Sequence, residues 1–287
     1  MSRVIYVNGR YQPYAKAAVH AEDRGFQFAD AVYEVIEVSG GKLVDARRHL
    51  ERLARSLGEI SMPMPMSEGA LRQIMSETLR RNRVRDGLIY IQVTRGAAPR
   101  DFALPGPDVP QSVIVLARRQ VRAASDALAE EGIAIMTMRD PRWARSDIKT
   151  VMLLPAVLAK AEAKRQGARE VWFTDENGAV TEGGSSNAWI VTPSGKIVTR
   201  ALDNRILPGI TRASAMDTAR HLQLQLEERA FTLKEAYEAA EAFITSATNT
   251  VMPVVRIDDR LIGSGRPGPV ARQLRHAFHH IAEISAL

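Results

Sequence analysis

Three short runs, met in this order along the chain, carry groups that could act together on one small molecule. Asp147-Ile148-Lys149 offers a primary amine, a side chain able to add to a carbonyl carbon. Thr181-Glu182-Gly183-Gly184-Ser185-Ser186-Asn187 sets a carboxylate beside small hydroxyl residues, which suits a protonated ring nitrogen. Leu207-Pro208-Gly209-Ile210-Thr211-Arg212 passes through glycine into an apparent helix, whose first amides and Thr211 hydroxyl suit a phosphate.

Singly, each run has a bland reading: a surface lysine, a glycine-serine turn between strands, a common helix start. The turn reading accounts for the glycines but not for the Thr181-Glu182 pair before them. Lys149 also stands apart from the other lysines. Lys160 and Lys164, four apart on a helix, are expected to point to solvent, and Lys16, Lys42, Lys196 and Lys234 sit in polar, turn-like surroundings. Lys149 precedes the apolar run Val151 to Leu154, which is expected to desolvate its amine in part. Burial lowers an ammonium pKa and frees the amine for a Schiff base. Together the three runs are the attachments that pyridoxal 5'-phosphate needs: a lysine for its aldehyde, an acid for its ring nitrogen and backbone donors for its phosphate.

Composition bounds the setting. A chain of 287 residues is near the limit for a single core, so two domains are expected. With 45% hydrophobic and 25% charged residues it falls among ordinary globular proteins, and no window approaches the roughly 18 unbroken apolar residues of a membrane span. The start lacks the apolar core and cleavage site of a signal peptide, which makes a cytoplasmic location the expectation. The absence of cysteine excludes disulfides, thiolate nucleophiles and cysteine zinc sites. Net charge is +6, and Arg80-Arg81-Asn82-Arg83-Val84-Arg85 is the densest basic run. It closes an amphipathic stretch from Ser67, where cations meet the negative end of a helix dipole, and no aromatic residues interleave, so no nucleic-acid partner is expected. His49 reads as a helix-start residue. His276, His279 and His280 lack acidic partners at metal-ligand spacing, and no metal is expected.

The elements that must position these groups read as follows. Strands are expected at 4–7, 33–38, 88–94 and 112–117, with a helix over 49–60 from leucines at 50, 53 and 57. The Gly/Pro-rich stretch Gly96 to Pro110 reads as a long functional loop. A boundary falls at Arg118 to Arg122, dividing a domain of residues 1–120, with substrate-side loops, from a cofactor-binding domain of 121–287. Beyond it, strands are expected at 133–138, 170–174, 187–191, 223–228, 242–246 and 251–257, and helices over 155–166 and 269–284. The fold class is α+β.

At this point the chain resembles the fold-type IV pyridoxal-phosphate enzymes and, within them, the D-amino-acid transaminases. The likeness runs nearly end to end: Glu22-Asp23-Arg24-Gly25-Phe26-Gln27-Phe28, Ala31-Val32-Tyr33-Glu34, Tyr90-Ile91-Gln92-Val93-Thr94-Arg95-Gly96, Arg142-Trp143, Asp147-Ile148-Lys149 and Phe243-Ile244-Thr245-Ser246. It implies a small N-terminal α/β lobe and a larger C-terminal lobe with a pseudo-barrel sheet. It implies Lys149 as Schiff-base lysine and proton shuttle, and Glu182 as partner of the ring nitrogen. Arg52, Ile210, Thr211 and Ser246 would surround the phosphate, and Leu207 would pack on the ring. Tyr33 and Arg100 would bind the substrate carboxylate, with Arg100 reaching across a homodimer.

Two departures from that family stand in this sequence. Arg100-Asp101-Phe102 replaces Arg, any residue, His, which removes one donor to the substrate carboxylate. Ser246-Ala247-Thr248 replaces a Ser-Thr-Thr run, leaving Thr248 to supply the hydroxyl. The implied reaction is transamination of D-amino acids, D-alanine with 2-oxoglutarate, in two half-reactions. A branched-chain L-amino-acid transaminase, an (R)-selective amine transaminase and aminodeoxychorismate lyase share the scaffold. A non-catalytic basic protein that binds nucleic acid or another partner is the alternative from a different class.

Overall fold

The computed structural model describes residues 3–285, which form two compact units. One takes the chain up to Arg122, then Ile148–Met152, then the segment from Glu283; the other takes Ala123–Asp147 and Leu153–Ala282. No helix among the described residues is long and apolar enough to cross a membrane.

The first unit is an antiparallel sheet covered by two helices. Its strands are β1 (Val4–Val7), β2 (Arg10–Pro13), β3 (Ala31–Ser39), β4 (Lys42–Val44), β5 (Gly87–Thr94) and β6 (Ser112–Arg119), with helices α1 (Arg24–Phe28), α2 (Ala46–Glu59) and α3 (Glu68–Asn82). The sheet order is Ile284–Ser285, β4, β3, β5, β6, β1, β2. Period-two alternation sends Val32, Ile36 and Val38 of β3, with Ile89, Ile91 and Val93 of β5, into a core shared with Leu50, Leu53 and Leu57 of α2. Tyr33, Tyr90 and Gln92 stand on the opposite face of the same strands. The basic run ends α3, where Arg80 and Arg81 both pair with Glu77.

In the second unit the elements are α4 (Arg122–Glu131), β7 (Ile133–Arg139), α5 (Leu154–Arg165), β8 (Glu170–Thr174), β9 (Val180–Gly183), β10 (Asn187–Val191), β11 (Ile197–Thr199), α6 (Ile210–His221), β12 (Leu226–Glu228), α7 (Leu233–Tyr237), β13 (Glu241–Ser246), β14 (Thr250–Ile257), β15 (Arg260–Leu261) and α8 (Pro269–Ile281). The sheet runs β12-β11-β10-β13-β14-β7-β8-β9, with β15 on β14. It curls until β9, the last strand of the path, returns against β10. Along β10, alternation sends Ala188 and Ile190 to one core and Trp189 and Val191 to another shared with α6 and α8. Strands such as β8 and β10 are buried throughout because both faces are covered.

The α+β class expected from the sequence is the observed one. Local differences have local causes. The strand expected from Gln223 begins at Leu226, because Gln223 adopts φ 56 just after α6. The last helix stops at Ile281, and Ile284–Ser285 pairs instead with Leu43 and Val44. The chain that follows the boundary read at Arg118 to Arg122 is helical over Arg122–Glu131.

Candidate active site

Lys149 is held by backbone. The Tyr33 amide donates to the Lys149 carbonyl (3.0 Å), the Val151 amide donates to Ala31 (3.1 Å), and Thr150 bridges Val32, so Ile148–Met152 lies along β3 like an added strand. The Lys149 Nζ sits 4.3 Å from the centroid of the Tyr33 ring, which itself stacks on Tyr90 at 5.6 Å. The apolar run after Lys149 does not cover it as expected, since Met152, Leu153 and Leu154 are exposed; the Tyr33 ring does.

Behind this pair lies a carboxylate in a row of hydrocarbon. Glu34 occupies a buried position of β3 between Val32 and Ile36. Arg52 of α2 meets it as a fork, Nε to Oε1 and Nη2 to Oε2, both 2.7 Å, and His49 Nδ1 reaches Oε2 at 2.7 Å. Burial opposes ionisation of Glu34, yet Arg52 and then His49 hold its carboxyl down at about 2. Burial pushes His49 down, so the neutral ring donates from Nδ1. Arg52, expected at a phosphate, thus directs part of its fork at Glu34.

Arg100 sits on the long loop, whose root is fastened to α1. The Arg24 amide donates to Gly96, Thr94 donates to the buried Asp23, and Arg24 Nη1 donates to the Asp101 carbonyl (2.7 Å). A Cβ at Gly96 would meet the Pro110 carbonyl at 2.0 Å, so the loop's two ends can close only on glycine. The Arg100 guanidinium lies 5.1 Å from the Phe28 ring and 5.8 Å from that of Phe102, which is 82% exposed.

Within the second unit, Glu182 is buried one residue before the end of β9. Its Oε1 accepts from Arg142 Nη1 at 2.5 Å, and its Oε2 accepts from Asn187 Nδ2 and the Leu207 amide, each at 3.0 Å. Asp140 holds the Arg142 guanidinium in turn through Nε (3.0 Å) and Nη2 (2.8 Å). Burial pushes the Glu182 carboxyl up to about 7, against the pull of Arg142 and the Leu207 amide.

Asn187 joins this acid to the phosphate-type elements. Its Nδ2 also donates to the Leu207 carbonyl (3.0 Å), and a Cβ on Gly209 would fall 2.0 Å from its Oδ1. Gly209 is the N-cap of α6 and makes no side-chain cap bond, so the amides of Ile210 and Thr211 stand at the positive end of the helix dipole. In register, Asn187 faces Thr245, next to Ser246, whose hydroxyl lies 3.3 Å from that of Thr248. A buried acid, an uncapped helix start and two neighbouring hydroxyls around Asn187 form a donor set that fits a phosphorylated pyridine.

Glu34, His49, Arg142 and Asn187 carried no functional reading in sequence. For Glu34 the signal was its place in the buried row of an alternating strand, and for Arg142 and Asn187 it was their place in the runs quoted above; for His49 it lay only in the fold. Lys160, expected in solvent, instead pairs with the buried Glu170.

Residues 31–257 match the amino-transferase class IV family. The chain belongs to that family and is a pyridoxal-phosphate-dependent aminotransferase. It is 37% identical to the D-alanine aminotransferase of Staphylococcus haemolyticus over 97% of this chain and 98% of that one. It is 38% identical to that of Bacillus licheniformis over 96% of each. Among solved structures, a T.th. branched-chain amino acid aminotransferase with pyridoxamine 5'-phosphate is similar, with 27% identity and a TM-score of 0.90, covering 98% of this chain and 94% of that chain.

Proposed function

We propose that this protein moves amino groups between D-amino acids and 2-oxo acids, D-alanine and 2-oxoglutarate foremost, as a cytoplasmic homodimer. The observation that carries this reading is the Lys149 amine held against the Tyr33 ring. The D-alanine aminotransferases that it resembles over nearly their full length support D-amino acids as substrates.

Bound pyridoxal phosphate withdraws electrons from the substrate carbon and so makes its hydrogen acidic. Lys149 would hold the cofactor through its amine and would serve as the base and acid that moves the substrate α-proton. Glu182, steadied by Arg142 and Asn187, keeps the ring nitrogen protonated. The Ile210 and Thr211 amides hold the phosphate with Ser246 and Thr248, and Arg52 adds its charge there. Leu207 packs on the ring. Tyr33 orients the substrate carboxylate, with Arg100 of the partner subunit.

The exposed Phe102 ring, standing where the family places a histidine, favours a second reading in which an apolar amine lacking a carboxylate is accepted. A half-reaction separates the two. The pyridoxal form is mixed with D-alanine, L-leucine or (R)-1-phenylethylamine and its visible absorbance followed. Bleaching by D-alanine ahead of the others is expected. Faster bleaching by the amine moves the protein to the second reading, and by L-leucine to a branched-chain activity.

A further inference from the structure

Glu170 opens β8 with only 2% of its surface exposed, and no step of the reaction uses it. Its Oε2 gathers three partners: Ser185 Oγ at 2.9 Å, Ser186 Oγ at 3.3 Å and Lys160 Nζ at 3.1 Å. Lys160 also donates to Ser185 (2.8 Å), and Glu170 Oε1 accepts from the Val171 amide (3.0 Å). A buried carboxylate without such partners would carry a large desolvation cost; here a lysine and two hydroxyls offset it.

The two serines belong to the tight turn between Glu182 and Asn187. The Gly183 amide closes that turn on the Ser186 carbonyl (2.6 Å), and the Gly184 amide ties it to Val171 (3.1 Å). A Cβ on Gly183 would meet Ser186 Oγ at 2.2 Å, and one on Gly184 would press on Val171 and Glu170 at 3.0 and 3.1 Å. The glycines therefore let the turn settle directly onto Glu170. On either side of the turn, Asn187 reaches back to Glu182 Oε2.

We propose that Glu170 is a positioning residue for the transamination site: through Ser185, Ser186 and Lys160 it fixes the Gly183–Ser186 turn, and with it the aim of Glu182 and Asn187. This rests on the assignment of Glu182 to the ring nitrogen. It assigns the Lys160 charge a place in the site's support rather than on a solvated helix face.

The test uses apoprotein titrated with pyridoxal phosphate, read by visible absorbance at several pH values. Glu170→Ala is expected to weaken cofactor binding roughly tenfold or more and to shift the pH midpoint of the bound chromophore, while KM for D-alanine changes less than kcat. Glu170→Gln, which keeps an acceptor for the serines, is expected to recover part of the affinity. Should Glu170→Ala fail to fold, the Ser185→Ala, Ser186→Ala double variant decides on the same readouts, with a smaller loss in the same direction. Wild-type cofactor affinity and chromophore pH midpoint in the folded variant, with only the melting temperature lowered, would overturn the proposal. Lys149→Ala is run alongside. If its chromophore matches the wild type, the reading of the site has itself failed, whatever Glu170 does.

Discussion

Glu182 concentrates the site's electrostatics in one side chain. Its folded pKa near 7 stands above its ordinary 4.5, so between these values the native apoprotein keeps a proton that the unfolded chain has released. Stability from this group is therefore present below pH 4.5, is lost as pH rises towards 7, and stays level above that. Glu182→Gln is expected to remove this part of the pH dependence. Denaturant midpoints of apoprotein and variant at pH 5 and pH 7.5 check it; a wild-type-to-variant difference that is the same at both pH values sinks the assignment. On the proposed assignment, a cationic ring nitrogen would give the carboxylate a second charge partner beside Arg142, which is a physical reason for cofactor and fold to stabilise each other. Glu34 shows the opposite tuning: Arg52 and His49 keep it ionised despite burial. In sequence it was one more residue of a strand motif, because nothing local marks which carboxylate will find an arginine 18 residues on.

At the scale of the element, α6 has its entry set by a single close approach. The N-cap Gly209 leaves room for Asn187, whose amide joins Glu182 to the Leu207 carbonyl. Gly209→Ala puts a methyl group where Asn187 Oδ1 lies, and overpacking of this kind costs about 1–3 kcal/mol. A lower apoprotein melting temperature together with weaker pyridoxal phosphate binding is expected; an unchanged cofactor affinity would show that α6 and Asn187 are not coupled. The helix start itself was legible from Gly209-Ile210-Thr211. Its tie to β10 was not, because that depends on how a curled sheet returns β9 against β10. Strand positions were legible wherever burial alternates or runs unbroken, as at Val4–Val7 and Glu170–Thr174. Short elements such as Arg24–Phe28 and Ile197–Thr199 escaped, since five or three residues carry too little periodicity.

For the whole molecule, the exposed loop tip is the feature that a single chain leaves without a task. Phe102, 82% exposed, stands beside Arg100 on a loop whose root is firmly bonded, and the Arg100 guanidinium also lies against the Phe28 ring. If Arg100 serves the partner's site, inactive Lys149→Ala and Arg100→Ala proteins complement each other. Random exchange of subunits makes half the dimers mixed, and each mixed dimer carries one intact site, so about a quarter of wild-type activity is expected after co-refolding. No recovery above the separate variants would place Arg100 in its own subunit's site or outside the site altogether.

By itself the sequence determined the α+β class and the family, because the amine, the acid and the glycine-led helix start each lie in short runs whose chemistry is local. The tertiary structure alone decided which distant groups surround them: Arg142 on Glu182 across 40 residues, Lys160 on Ser185 across 25, and the Tyr33 ring rather than the Val151 to Leu154 run over Lys149. Sheet register and curl set those meetings, and both are properties of the whole packed chain rather than of any window along it.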